Sequence, residues 1–154
     1  MKKVLFLILL YVSNVYAVTA NELMGKWQTV TQSQNNGALI VEEEHLTLNA
    51  NHTFSIVIFV SLTKGEAFIK GLRIEGSGIW KNRDNTLVAV IKKVEVPFAK
   101  EIYLISQESL RNFANNFKNK YVNEPIRINI VKTLDTNKMT TVNENLRETT
   151  YTRY

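Results

Sequence analysis

The chain has 154 residues, a formal net charge of +5 and no cysteine, and hydrophobic residues make up 45% of it. This length and apolar content are enough for one domain with a hydrophobic core, and the lack of cysteine excludes disulfides as a source of stability. The basic excess is spread along the chain instead of forming a dense stripe, so we expect no nucleic-acid partner.

The first twenty residues have the pattern of a secretory signal peptide. Lysines precede an apolar run, Val4–Val12, and small residues then allow cleavage after Ala17 or Ala20. The run is too short to span a bilayer, which takes about 20 apolar residues, so we expect no stable membrane anchor after cleavage. We therefore predict a bacterial protein that is periplasmic or secreted, with residues 1–20 as leader and 21–154 as the folded domain.

Segments with β-strand character follow one another from residue 26 to the C-terminus. Turn clusters rich in Asn, Asp and Gly separate them. The predicted strands are 26–32, 39–49, 54–62, 66–81, 86–96, 98–105, 126–134, 138–144 and 148–154. Gly71, Gly76 and Gly78 interrupt the long fourth strand, where they predict the bends that a closed sheet needs. The pattern predicts an all-β fold, an antiparallel up-and-down β-barrel.

One α-helix, at about 107–121, is predicted as an insertion between strands of this barrel. Ser106 is a favourable N-cap, Glu108 lies in the first turn, and Pro125 stops the helix. Apolar side chains recur on one face, at Leu110, Phe113, Ala114, Phe117 and Tyr121. We expect this stripe to pack against the barrel as core. The alternative is a lid over a binding cavity.

Four short motifs occur in a fixed order along the chain. They are Gly25-x-Trp27, the segment Leu46–Phe54 with its Asn-Ala-Asn-His turn, Gly78-Ile-Trp80, and Tyr151-Thr-Arg153 near the C-terminus. Together they resemble the small bacterial lipocalin-like domains of the calycin group. The resemblance implies a barrel whose first strand opens with Gly-x-Trp and whose late Arg packs on that Trp. We therefore expect Trp27 and Arg153 to close the barrel, with a cation–π attraction of about 0.5–2 kcal/mol.

Catalytic and metal-binding motifs are missing from the sequence. It contains no nucleophile elbow, phosphate-binding glycine loop or metalloprotease motif, so we expect no enzyme activity and no cofactor. His45 and His52 flank one turn and could bind a metal together with Glu43. Two polar surface residues near a turn are the commoner arrangement, so we predict no metal site.

The predicted function is burial of a small hydrophobic or amphipathic ligand inside the barrel. The candidate wall residues are Phe54, Ile56, Ile58, Leu72, Trp80, Leu87, Ala89, Ile128 and Ile130. Glu44 and Lys70 could hold a polar head group at the mouth, unless this end of both strands extends into solvent.

The alternative function is a protein-interaction module, such as a periplasmic inhibitor or an immunity-type partner. Its barrel would be fully packed, and an exposed sheet face carrying Val57, Phe59 and Val88 would bind the partner. A cavity of about 300 Å³ or more would favour the ligand carrier. The ligand, the partner and the oligomeric state are left open by the sequence.

Overall fold

The computed structural model describes residues 17–96 and 99–154, so nearly all of the predicted leader lies outside the described residues. The described part is built from two helices and nine strands. In chain order they are α1 (Ala20–Leu23), β1 (Gly25–Asn35), β2 (Ala38–Leu48), β3 (Thr53–Lys64), β4 (Ala67–Arg83), β5 (Thr86–Glu95), β6 (Glu101–Tyr103), α2 (Gln107–Asn123), β7 (Ile126–Leu134), β8 (Lys138–Asn143) and β9 (Glu148–Arg153).

Eight of these strands form a closed antiparallel barrel, as the alternation of apolar and polar residues predicts. Neighbours around the barrel are β1, β2, β3, β4, β5, β7, β8 and β9, and β9 returns to β1. The two chain ends meet there, with Trp27 opposite Arg153 and Gln28 opposite Thr152. The remaining strand, β6, pairs with the first part of β4 and lies outside the ring.

The long strand β4 pairs with β3 from Ala67 to Ile79 and with β5 from Glu75 to Arg83. Its register with β5 shifts between Ser77 and Gly78. At Gly78 the backbone carbonyl of Val90 and the ring of Phe54 occupy the place of a side chain. Only glycine fits there, so this position fixes the curvature that closes the barrel.

Two apolar clusters fill the molecule at different levels. The lower cluster surrounds the fully buried Trp27 and Trp80 at the barrel base. The upper cluster lies under α2, and the apolar stripe predicted for this helix packs against it. Its buried members are Ile58, Val60, Ile69, Leu72, Ile74 and Val94. The helix starts as predicted, with the Ser106 side chain accepting a hydrogen bond from the Ser109 N–H.

The segment before β1 packs against the barrel base. Val18 is 6% exposed; its N–H donates to the Asp84 carbonyl and its own carbonyl accepts from Asn82 Nδ2 at 2.7 Å. Thr19 and Glu22 form a capping box that starts α1. Residues 18–20 therefore lie at the barrel base, and they belong to the leader only if cleavage follows Ala20.

Element boundaries differ from prediction mainly near β6. The segment 98–105 was expected to be a strand, and among its described residues only Glu101–Tyr103 pair in the sheet. Within the described ranges, neither helix is long and apolar enough to cross a membrane.

Candidate functional site

A cavity of about 220 Å³ lies inside the barrel, bounded by β-strands around its sides and by the C-terminal part of α2. Strands β2, β3 and β5 give it an apolar lining because their alternate side chains point into the barrel. That lining consists of Leu46, Leu48, Phe54, Ile56, Leu87, Ala89 and Ile91.

The rest of the lining is polar and ionisable. It comes from β1, β7, β9, the turn before β9 and the end of α2, and includes Thr29, Thr31, Tyr121, Arg127, Asn129, Arg147, Thr149 and Tyr151. It also includes three carboxylates, Glu42 and Glu44 on β2 and Glu144 in the turn before β9, and the amine of Lys120. The cavity is therefore amphipathic, with apolar and hydrogen-bonding surfaces facing the same space.

A hydrogen bond between Glu44 and Tyr151 ties two strands together inside the cavity. The Tyr151 hydroxyl donates to Glu44 Oε1 at 2.9 Å, reaching from β9 to β2. Burial raises the pKa of Glu44 and neighbouring Glu42 adds to the rise, while the Tyr151 hydrogen bond and Arg147 oppose it. Burial also raises the pKa of Tyr151, with Glu44 adding to it. Glu44 can therefore keep its proton at a higher pH than an exposed glutamate.

Arg127 holds the end of α2 over the cavity. Its guanidinium donates to the Lys120 carbonyl at 3.4 Å, lies 3.7 Å from Glu124 and stacks 5.1 Å from the centre of the Tyr121 ring. Its Nε is buried and has no hydrogen-bond partner among the described residues. Burial raises the pKa of Tyr121, so this hydroxyl stays neutral beside the cavity. Arg127 therefore ties the end of α2 to the start of β7 beside the cavity.

Several predicted wall residues do line the cavity. Phe54, Ile56, Leu87 and Ala89 belong to its apolar lining, and Glu44 belongs to its polar lining. Ile128 borders the cavity, yet it is 39% exposed on the outer side of β7.

The other predicted wall residues do not border this cavity. Ile58 and Leu72 are buried in the upper cluster, and Trp80 is buried in the lower cluster, so none of the three borders the cavity. Ile130 faces outward and is 47% exposed, because the alternate residues of β7 turn Val131 inward.

Lys70 does not join Glu44 in a head-group site. Its ammonium lies 4.5 Å from the centre of the Phe68 ring and 3.5 Å from Glu101 on β6, outside the barrel. Lys70 is on the half of β4 that pairs with β6, whereas Glu44 points into the barrel from β2. The predicted pair is therefore replaced by Glu44 with Tyr151.

Sequence reasoning missed most of the polar lining. Arg127 and Asn129 alternate with three isoleucines on β7, and two of these, Ile128 and Ile130, were predicted to face inward. The signal that could have found them is the Arg-x-Asn pair itself, since polar residues at alternate positions mark one face of a strand.

The predicted closing pair is in contact at the barrel base. The Arg153 guanidinium lies 4.0 Å from the centre of the Trp27 indole. It also donates to the carbonyls of Glu22, Met24 and Thr136 at 2.6 to 2.8 Å. Arg153 thus joins α1, β1 and the turn before β8 around one buried ring.

The two histidines lie apart. His45 contacts Glu43 at 2.8 Å on β2, while His52 lies beside Trp80 in the next turn. Across residues 17–96 and 99–154, no three side chains of metal-binding type cluster together. No protein-family model and no curated protein matches this chain.

Proposed function

We propose that this protein is an exported binding protein that holds a small amphipathic molecule inside its barrel. The observation that carries the proposal is the amphipathic cavity, in which Phe54 and Ile56 share one space with Glu44 and Tyr151. Apolar ligand surface removed from water there contributes about 25 cal/mol per Å². The likeness of the short motifs to lipocalin-like domains supports the same proposal.

The size of the cavity limits the ligand. Its 220 Å³ is less than the volume of about 300 Å³ at which size alone would favour a ligand carrier, and it lies below the usual range for drug-sized ligands. The proposal therefore rests on the amphipathic lining and is limited to a small ligand. A short alkyl chain or a single ring with one polar group matches this volume.

The polar lining favours a head group that both donates and accepts hydrogen bonds. Glu44 and Tyr151 offer a carboxyl and a hydroxyl that already bond to each other inside the cavity. Such groups fix orientation, while the apolar lining supplies most of the binding free energy. Three acidic side chains, Glu42, Glu44 and Glu144, and three basic ones, Lys120, Arg127 and Arg147, line the cavity together. This balance favours a neutral head group, such as a hydroxyl, over a lone charge of either sign.

Isothermal titration calorimetry with three eight-carbon probes tests the proposal: octanol, octanoate and octylammonium. We expect octanol to bind, and octanoate and octylammonium each to bind at least about tenfold more weakly, because a lone charge loses its hydration in a charge-balanced lining. In the variant Ala89→Leu, the added carbons occupy the cavity and should abolish binding. Val88→Leu is the matched control because Val88 is the preceding residue of β5 and points outward.

Two outcomes of this titration would overturn the proposal. Absence of heat with all three probes, in protein whose circular dichroism shows the folded state, overturns the proposal. Binding that survives Ala89→Leu places the probe elsewhere and overturns the cavity as the site.

Export is part of the proposal and has its own test. The leader pattern in residues 1–20 supports export, and the burial of Val18 favours cleavage after Ala17 over Ala20. Cleavage after Ala20 would remove Val18 and the Thr19 cap from the barrel base. N-terminal sequencing of the protein from a periplasmic fraction should therefore begin at Val18. Intact Met1 in that preparation would contradict export by this leader.

A second candidate function, the protein-interaction module, rests on the outer face of β4, β5 and β7. Ile79, Ile126, Ile128 and Ile130 are each between 39% and 53% exposed there. Pairing of Val88 with Ile128, and of Val90 with both Ile79 and Ile126, makes the patch continuous. Exposed apolar patches of this kind are typical of interaction surfaces. Failure of all cavity probes would leave this face as the better-supported functional surface.

A further inference from the structure

Glu44 lies where the apolar lining of the cavity meets its charged lining. On the inward face of β2 it comes between Glu42 and Leu46, and beyond Leu46 the lining from β2 is apolar. Its neighbours in register are Thr29 on β1 and Ile58 on β3, both uncharged. A ligand whose carbon chain lies against the apolar lining therefore brings its polar group to Glu44 before it reaches Glu42.

The two oxygens of the Glu44 carboxyl have different surroundings. Oε1 accepts the hydrogen bond from the Tyr151 hydroxyl at 2.9 Å. Oε2 makes no hydrogen bond to any residue that the structure describes, and no described lysine or arginine forms an ion pair with this carboxyl. The side chain is half-buried and borders the cavity. One oxygen is therefore held by the protein, and the other is left for a ligand.

The ionisable groups around this carboxyl come from five parts of the chain. Glu42 is on the same strand, and Tyr151 reaches the carboxyl from β9. The others in the lining are Lys120 and Tyr121 on α2, Arg127 on β7, and Glu144 and Arg147 in the turn before β9. His45, the next residue of β2, turns to the outer side and contacts Glu43. Burial is the largest influence on Glu44, and it raises the pKa of this carboxyl above its ordinary value.

We propose that Glu44 selects the head group of the ligand by donating a hydrogen bond to it from Oε2, in the carboxylic-acid form. The inference rests on the proposed function and adds the class of head group, an uncharged oxygen acceptor such as a carbonyl or a hydroxyl. A carboxylic acid has one O–H donor, whereas a carboxylate only accepts. A ligand that can only accept therefore binds to protonated Glu44, and where Glu44 is ionised, binding takes up one proton from the solvent.

Glu44 is the group at this level of the cavity whose donor depends on pH. The Tyr151 hydroxyl has a single proton, which it donates to Oε1. Burial raises the pKa of Tyr151 well above its ordinary value, so this hydroxyl keeps its proton while Glu44 titrates. The hydroxyl of Thr29 does not titrate. A change of affinity with pH therefore reports the gain or loss of the Glu44 proton.

Two uncharged eight-carbon probes, 2-octanone and octanol, test this role in isothermal titration calorimetry. The ketone can only accept a hydrogen bond, whereas the alcohol can also donate one to an ionised carboxylate. The pH series runs from about 5 to 9, where buried glutamates titrate. We expect the affinity for 2-octanone to fall about tenfold for each pH unit above the folded-state pKa of Glu44. Octanol should lose much less affinity over the same series.

Glu44→Gln is the central variant. Its amide is a permanent donor of nearly the same shape, and Tyr151 can still donate to its oxygen, so the variant should fold and bind 2-octanone with an affinity that does not change with pH. Glu43→Gln is the matched control, because Glu43 is the preceding residue and is exposed on the outer side of β2. It should keep the wild-type profile. Glu42→Gln removes a like charge, so it should move the loss of affinity to lower pH without abolishing it.

The uptake of a proton gives a second readout. Above the folded-state pKa of Glu44, the proton that enters the complex comes from the buffer. The heat of binding of 2-octanone to the wild type should therefore differ between phosphate and Tris buffers at the same pH. Glu44→Gln should give equal heats in the two buffers after the same correction for dilution.

Three results would overturn this inference and leave the proposed function in place. The first is an affinity of the wild type for 2-octanone that is constant with pH. The second is a fall with pH that Glu44→Gln retains, and the third is a fall that Glu42→Gln abolishes, since the titrating group is then Glu42. If neither probe binds at any pH, the proposed function fails, and this inference fails with it.

Discussion

Replacement of Arg153 by alanine is the sharpest test of how the barrel is closed. The guanidinium makes three hydrogen bonds to backbone carbonyls and lies over the Trp27 ring. Arg153→Ala removes all of these contacts at once and leaves the carbonyls of Glu22 and Met24 without this donor. Arg153→Lys keeps a positive charge but loses the planar fork that reaches several carbonyls.

The expected loss follows from these contacts. A hydrogen bond contributes about 1 kcal/mol net, and the partly exposed cation–π contact about 0.5–1 kcal/mol. Three such bonds and the ring contact therefore give a loss of about 3–4 kcal/mol for Arg153→Ala, and we expect about 2 kcal/mol for Arg153→Lys. With a urea m-value of about 2 kcal/mol/M, the midpoint for Arg153→Ala should fall by about 1.5 M or more.

Urea unfolding followed by tryptophan fluorescence measures this loss. Arg111→Ala is the control, because Arg111 is an exposed arginine on α2, and its change should stay within about 0.5 kcal/mol. A loss below 1 kcal/mol for Arg153→Ala would refute the reasoning that the C-terminal arginine closes the barrel.

Three other changes test separate parts of the structure. Gly78→Ala should cost about 3 kcal/mol or more of stability because the new carbon meets the Val90 carbonyl. Gly76→Ala should cost less because its new carbon meets a methyl group of Ile56, which can move. Thermal melts of the two variants compare these losses. Trp27→Ala should cost about 3–5 kcal/mol in urea, since the ring is fully buried. Glu44→Gln should be more stable than the wild type at neutral pH but not at low pH, measured by urea midpoints at both.

The sign for Glu44 follows from its raised pKa. Its folded-state pKa lies above the ordinary value of 4.5, so the wild type loses stability as the pH rises through the folded-state pKa. Glutamine does not titrate, so the extra stability of Glu44→Gln appears above the folded-state pKa of Glu44. It vanishes below the ordinary pKa of 4.5. A stability difference between Glu44→Gln and the wild type that is constant with pH would contradict this sign. Equal losses for Gly78→Ala and Gly76→Ala would contradict the steric requirement for glycine at position 78. A Trp27→Ala loss below 1 kcal/mol would remove that ring from the core.

The fold was predictable because its main signals are local. Alternating apolar residues and Asn- or Gly-containing turns located all barrel strands, and glycines within β4 indicated its bend. The helix was predictable from the Ser106 cap and its apolar stripe. The helix α1 was missed because the small residues before it match a cleavage site equally well.

The site was less predictable because side-chain direction depends on the whole barrel. On β7 we assigned the isoleucines to the interior, although Arg127 and Asn129 face the cavity there. A polar interior reverses the usual assignment of apolar residues to the inside of a strand. The contact of Glu44 with Tyr151 joins residues 107 positions apart, which no local pattern encodes.

The contact of Arg153 with α1 has a consequence for biosynthesis. It joins residues up to 131 positions apart, so this seal cannot form before Arg153 itself has been synthesised. Closing so long a loop is entropically costly, and the intervening strands shorten it only once they have paired. The contact between the two ends of the domain is therefore a late event in folding.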